Sequence, residues 1–298
     1  MKKLLAVVLV ALLSVGAFAA VNFSGSLDVT NKLTYTPGAT PSELKWEVTP
    51  SGSVSISASG SDEITGFSAT INWDGKAEGY VWWKPYVSEA LTIQLNAGTI
   101  DGKGQVQSVF TLKPSDDLKD TLTVSLYPNA YKPAYLFELD VSNKLEFMFL
   151  TLTTTVKEVV KNAEAAKVDL AAGVTLDAAK LLGIADATLK FKADFGIKAP
   201  DAQPLKSWSV GADFGIDKYK GSVSFNHENK LTAKLETTLL APVTIGGSVT
   251  VKTEDPVGSM ELNAYAKWTL GVLSNTLSLG YNAATKGATV SLTNSVSF

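Results

Sequence analysis

Reactive side chains are scarce in this sequence. It holds one histidine, His227, and no cysteine. His227 lies between Asn226 and Glu228 at a predicted hairpin tip. As a general base it would need a serine nucleophile within hydrogen-bond reach, and the nearby candidates are Ser222 and Ser224. A histidine in so polar a turn reads as solvated. The absence of cysteine removes disulfides and thiolate metal sites. The stretch Asp101-Gly102-Lys103-Gly104 lacks the ligand spacing of a calcium or phosphate loop and reads as a hairpin connection. The aromatic run Trp82-Trp83-Lys84-Pro85-Tyr86 has the composition of a sugar-stacking platform, but neighbouring strand residues point to opposite faces, which argues against a continuous one. No catalytic group, metal site or cofactor is expected.

What the chain has in quantity is charge set between apolar residues. Asp28, Glu138, Asp140, Lys190, Lys192, Asp194, Asp213, Lys234, Glu236, Glu261 and Lys267 each occupy the polar positions of an alternating row. Facing water, such residues line a passage and set its potential. Both signs are present, so at most a weak cation preference is expected.

The elements that carry these residues are strands. Side chains of a strand alternate between two faces, so each change of parity in an apolar row marks a turn. Val21, Phe23, Leu27, Val29, Leu33 and Tyr35 form the first row, ended by 37–42. Leu44, Trp46, Val48, Val54, Ile56 and Ala58 keep one parity through Pro50 and Gly52, which reads as one interrupted strand; a hairpin at Pro50-Ser51 is the alternative. The second half is clearer, with rows such as Ala187 to Ile197, Trp208 to Ile216 and Met260 to Leu270. Charges between consecutive apolar residues are incompatible with a strand buried on both faces. Counting resets gives sixteen to eighteen strands, with eighteen preferred. That leaves about fifteen residues for each strand and its turn, enough for a tilted strand to cross a bilayer with roughly 9–11.

The two ends of the chain carry further signals. Lys2 and Lys3 precede the apolar run Leu4 to Leu13, and Ala17 and Ala19 follow in a small-x-small pattern. This predicts a cleaved signal peptide over 1–19 and a single domain over 20–298. No cysteine follows the site, so lipid attachment is not expected. At the other end, Ala288, Val290, Leu292, Val296 and Phe298 share one face, interrupted by Asn294, while Ser291, Thr293, Ser295 and Ser297 share the other. This stretch resembles the closing strand of bacterial outer-membrane β-barrels, in which a terminal Phe preceded by alternating apolar residues is read by the barrel-insertion machinery. The resemblance implies that Val290, Leu292, Val296 and Phe298 form an insertion signal.

Removing Lys2 and Lys3 takes the net charge from −3 to about −5. Every basic residue is lysine, and a mildly acidic exported chain is a poor nucleic-acid binder. The expected fold is therefore all-β: a transmembrane antiparallel up-and-down β-barrel in the outer membrane, in contact with its lipid. Longer outer connections are expected at 36–43, 73–79, 157–166, 199–206 and 253–259. Short periplasmic turns are expected at Ser142-Asn143-Lys144, Asp217 to Lys220 and Ala241 to Thr244. Lys157 to Ala166 has helical composition and could form a short helix able to constrict the lumen, an ordinary surface loop being the preferred reading. Tyr35, Trp73, Tyr80, Tyr86, Tyr127, Tyr131, Tyr135, Tyr219 and Tyr281 lie near turns and fit an interfacial girdle.

A barrel this wide cannot be filled by its own side chains. It is similar in kind to general porins, and the resemblance implies passive diffusion of small hydrophilic solutes and ions, with a homotrimer as one compatible assembly. Two rivals are a structural or adhesive surface protein and a soluble exported β-sandwich.

Overall fold

A computed structural model describes residues 20–37, 43–60, 63–100, 103–128, 135–161, 167–199 and 205–297. The expected signal peptide, the 101–102 connection, Tyr131 and Phe298 lie outside the described residues. The first nine strands are β1 (Ala20–Thr36), β2 (Glu43–Ser59), β3 (Thr65–Asn72), β4 (Ala77–Val87), β5 (Leu91–Ile100), β6 (Lys103–Ser115), β7 (Leu118–Pro128), β8 (Tyr135–Phe147) and β9 (Leu150–Lys161). The other nine are β10 (Lys167–Asp177), β11 (Ala187–Ala199), β12 (Leu205–Ile216), β13 (Tyr219–Asn226), β14 (Lys230–Leu240), β15 (Val243–Lys252), β16 (Glu261–Leu270), β17 (Leu273–Asn282) and β18 (Gly287–Ser297). One helical turn, α1 (Ala178–Leu181), follows β10, with Asp177 capping it through the Lys180 N–H at 3.0 Å.

Every strand pairs antiparallel with its neighbours in sequence, and β1 pairs with both β2 and β18. The sheet is thus an eighteen-stranded ring without a free edge, which removes the unpaired backbone that an open sheet would leave. The interrupted row through Pro50 and Gly52 is one strand, with Val29 opposite Pro50 and Leu27 opposite Gly52. A ring of one sheet also leaves no second sheet to pack on, so a β-sandwich is ruled out.

Following directly opposed residues around the ring returns to β1 displaced by about 22 positions, a stagger that sets the strand tilt at ~43° and the backbone radius at ~17 Å. The connections at the two rims differ. Five of the eight on the side of the termini are two-residue turns, at 116–117, 148–149, 217–218, 241–242 and 271–272. Three of these start with a residue at positive φ, Met148 (51°), Asp217 (49°) and Gly271 (61°), in line with the twist of tight hairpins. The rim of the termini also carries one connection of nine residues, 178–186, which holds α1; on the opposite rim the longest, 253–260, has eight.

Three local expectations are corrected. Ser142, Asn143 and Lys144 lie inside β8, opposite Thr123, Leu122 and Thr121, and form no turn. Asn143 breaks the apolar row because its amide donates to Asp120 Oδ1 at 2.6 Å on the same face. Lys157 to Lys161 continue β9, so the segment with helical composition is strand over those five residues, and 162–166 lie outside the described residues. The proposed girdle also divides. Tyr35, Trp73, Tyr86, Tyr219 and Tyr281 are exposed on the apolar face. Tyr80 and Tyr127 stand instead on the polar face, opposite Ser68 and Glu138.

The polar face is the concave one. Tyr265 of β16 reaches over Gly246 of β15 to donate its hydroxyl to Glu236 of β14. Side chains two strands apart converge in this way inside a cylinder and diverge outside it. The apolar rows therefore face outward, with Phe23, Trp46, Leu44 and Ile216 each more than 60% exposed on the isolated chain. An apolar belt so extensive and so bare is a surface for lipid rather than water.

Candidate functional site: the inner wall

Residues opposite one another across a ladder share a face, so the register assigns every strand residue to wall exterior or interior. All eleven charged residues singled out in the sequence fall on the inner face. Their surroundings differ. Asp28 stands opposite Ser295 in an arc built from β17, β18, β1, β2 and β3, where hydroxyls predominate. There Thr30 and Thr293 share a hydrogen bond of 2.9 Å, and Ser55 and Thr70 one of 2.8 Å. The remaining ten lie on the arc from β8 to β16.

Within that charged arc several residues are brought together. Lys192 is ion-paired with Asp213, and Lys190 lies 3.4 Å from Asp177. Ser209 donates to Asp194 at 3.4 Å. Glu138 and Asp140 converge on Lys157, whose ammonium is bonded to Glu138 and lies 3.8 Å from Asp140. Asp213, Lys234 and Glu236 share with Tyr265 a recess of about 800 Å³. Lys267 places its ammonium 4.7 Å from the centre of the Tyr265 ring, and Glu261 accepts from Asn282 at 3.1 Å. No two of these clusters combine into a nucleophile with its base. His227 stands exposed in the turn after β13, its backbone N–H donating to Trp208 O at 3.0 Å.

Sequence reasoning missed Lys157, Asp169, Asp177 and Lys198. Asp169 lies 3.9 Å from Lys198, opposite it on the ladder. Lys157 was hidden by its helix-like neighbours, although Val156 and Thr154 continue the alternation that places it inward. The register then aligns single residues of successive strands into one row: Gly66, Trp82, Asn96, Gln107, Ser125, Asp140, Lys157, Asp169 and Lys198 are each directly opposite the next. Because the strands tilt, this row climbs the wall as it crosses nine strands, neutral at one end and charged at the other.

At the rim with longer connections, Asp74 accepts from the Lys76 N–H at 3.1 Å and pairs with its ammonium at 2.6 Å. The bond from the Lys76 side chain, followed by that from its backbone, holds the Asp74 carboxyl below the usual carboxylate range.

Of the residues expected to form the insertion signal, Val290, Leu292 and Val296 lie on the outer face of β18, and Phe298 lies outside the described residues. Val290, Leu292 and Val296 stand opposite Leu279, Leu277 and Leu273 of β17 and opposite Leu33, Asn31 and Leu27 of β1. Asn294, the break in this apolar row, is matched by Asn275, to which its amide donates at 2.7 Å.

No protein-family model matches the chain, and no curated protein matches its sequence. Solved structures do match in shape. OpdO of Pseudomonas aeruginosa superposes with a TM-score of 0.58 at 8% identity, over 95% of this chain and 98% of that one. OccK8 (OprE) of the same organism gives 0.58 at 9%, over 93% and 98%. A substituted Rh. blastica porin gives 0.56 at 10%, over 94% and 100%. At such identities the likeness is one of fold, and the fold is that of a porin-type β-barrel.

Proposed function

We propose that this chain is an outer-membrane porin that passes small hydrophilic solutes and ions by diffusion, with the eleven inward charges lining its pore. The observation that carries the reading is an eighteen-stranded ring whose concave face is charged and hydroxylated while its convex face is apolar. Strands and rim connections account for all the described residues, and α1 belongs to one of those connections. A radius of ~17 Å leaves a lumen wider than inward side chains can close. The likeness to solved porins points the same way. An adhesive role is less well supported, since the described connections offer little projecting surface.

Export through a cleaved signal peptide goes with this reading, supported by Lys2 and Lys3 ahead of the apolar run Leu4 to Leu13 and by the small residues Ala17 and Ala19 that follow it. Its partners are outer-membrane lipid, the insertion machinery and the permeating solutes, and a homotrimer is compatible with it. As an insertion signal, Phe298 has a direct test. Phe298→Ala is expected to lower the yield of assembled barrel in the outer-membrane fraction several-fold, leaving the inner-wall residues untouched. Equal yields of heat-modifiable protein from both chains would remove Phe298 from that role.

The channel itself is tested by reconstitution. Purified protein, folded as judged by a gel shift on boiling, is expected to give stepwise conductance in planar bilayers, proportional to bulk salt, and to let liposomes swell in small sugars. A folded barrel that neither conducts nor supports swelling would leave the adhesive reading in first place.

A further inference from the structure

The neutral end of the inner row is built differently from the rest of the wall. Trp82 stands opposite Gly66 of β3 on one side and Asn96 of β5 on the other. Gly66 offers no side chain, and the indole lies across it: a methyl group at Gly66 would fall 2.0 Å from Trp82 Cζ2 and 2.5 Å from Cε2. Tyr80, two residues earlier and on the same face, places its ring centre 6.0 Å from that of Trp82 with the planes 47° apart. At that separation and tilt the rings do not cover one another, and both remain half-exposed. Trp82 and Trp83, neighbours in the run Trp82 to Tyr86, face opposite ways; the pair that shares a face is Tyr80 and Trp82.

Beside the rings runs a relay of side-chain amides. Gln94 Nε2 donates to Asn96 Oδ1 at 2.8 Å, Asn96 Nδ2 to Gln107 Oε1 at 2.8 Å, and Gln107 Nε2 to Ser125 Oγ at 3.0 Å. Asn96 and Ser125 are 5% and 4% exposed, so the relay is anchored from beneath. Gln94 and Gln107 are half-exposed, and each amide carries two N–H donors and a two-lone-pair acceptor, more than these bonds use.

We infer that Tyr80, Trp82, Gln94 and Gln107 form a binding site for neutral saccharides on the channel wall. The inference rests on the channel reading and names a class of solute for it. The C–H face of a pyranose is apolar and matches an aromatic ring, while vicinal hydroxyls take one donor and one acceptor each from a planar amide. The ring spacing is comparable with the length of one sugar unit. From Trp82 to Ser125 the row itself carries no charge, with carboxylates only on its flanks, Glu78 two residues before Tyr80 and Asp140 opposite Ser125, so a neutral polyol meets uncharged partners along it. Fixing the amides in advance also lowers the ordering cost of binding.

The test is current recording through the full mature chain in planar bilayers, with maltotriose and cellotriose as probes. Reversible interruptions are expected, more frequent with rising sugar concentration and unchanged between 0.1 M and 1 M KCl, since no charge pair holds the ligand. Trp82→Ala is expected to weaken the apparent affinity by about 10-fold, as loss of an aromatic anchor does, with the open-channel conductance kept. Tyr80→Ala and Gln107→Ala provide the same reading should Trp82→Ala fail to assemble. A conducting channel that neither sugar interrupts, or whose interruptions survive these substitutions unchanged, overturns the site and leaves the channel standing. A folded barrel without conductance overturns both.

Discussion

Replacing Lys190 and Lys192 together by glutamate is expected to raise the cation-to-anion permeability ratio several-fold in low salt. The two lysines project from β11 among three aspartates: Asp177, 3.4 Å from Lys190; Asp213, ion-paired with Lys192 and opposite Lys190; and Asp194, two positions further along β11. In the native wall this group is close to electrically balanced, and passing ions feel little net field from it. The double substitution turns two lysines and three aspartates into five carboxylates on one patch of the inner wall. A concentrated negative field in a low-dielectric cylinder draws cations and excludes anions.

The measurement is the reversal potential in a KCl gradient. The shift should be large at 0.1 M, where the Debye length is about 10 Å, and mostly lost at 1 M, where it is about 3 Å. Lys190→Gln with Lys192→Gln should fall between, because it removes the cations without adding anions. Like charges on opposed strand positions destabilise by up to about 1 kcal/mol per pair, so the variant should remain folded. Unchanged reversal potentials in a barrel that still shifts on boiling would place these side chains off the ion path.

Gly98→Ala is expected to be the most damaging single methyl addition on the wall beside Tyr80. Gly98 of β5 lies opposite Tyr80 of β4 with φ of 155°. A Cβ there would sit 2.2 Å from Gly79 O and 2.5 Å from Tyr80 Cα. Both are main-chain atoms, so no rotamer change relieves the clash, and the β4 and β5 backbones must part. Such overpacking with backbone displacement costs about 2–4 kcal/mol. Gly215 is the control, since a Cβ on it meets Thr188 Cβ no closer than 3.5 Å, an ordinary contact. Gly215→Ala should change stability by less than about 0.5 kcal/mol. The readout is the temperature at which the folded band is lost on a semi-native gel, checked against the guanidinium midpoint. Equal temperatures for both variants would show that the close approach of β4 and β5 at Gly98 is not maintained.

How far the barrel could be read from its sequence depended on whether each feature was local. Alternation is a property of consecutive residues, because the strand repeat is two. Lys190, Lys192 and Asp194 therefore declared a common face against Phe191, Ala193 and Phe195 before any partner was known. The same parity carried the second strand through Pro50 and Gly52 and supported a count of eighteen. Where an outward position is polar, the signal fails. Asn143 looked like a turn because its partner Asp120 lies more than twenty residues away on another strand. Lys157 opens a stretch of helical composition that reads as a surface loop, and only its opposition to Asp140 and Asp169 shows that the alternation of β9 continues through it.

Register lies beyond any local reading. Ring closure sets which residues stand opposite one another, together with small shifts such as those between Trp83 and Tyr86 and between Leu112 and Ser115. Those pairings turn isolated residues into the row from Trp82 to Lys198. They also place Tyr80 inside the wall, where proximity to a turn had placed it at the membrane interface. Local chemistry thus settled which side chains share a face, through a two-residue period that needs no partner. Their neighbours around the cylinder were settled by hydrogen-bond pairing between distant strands, a constraint satisfied only when all eighteen close together.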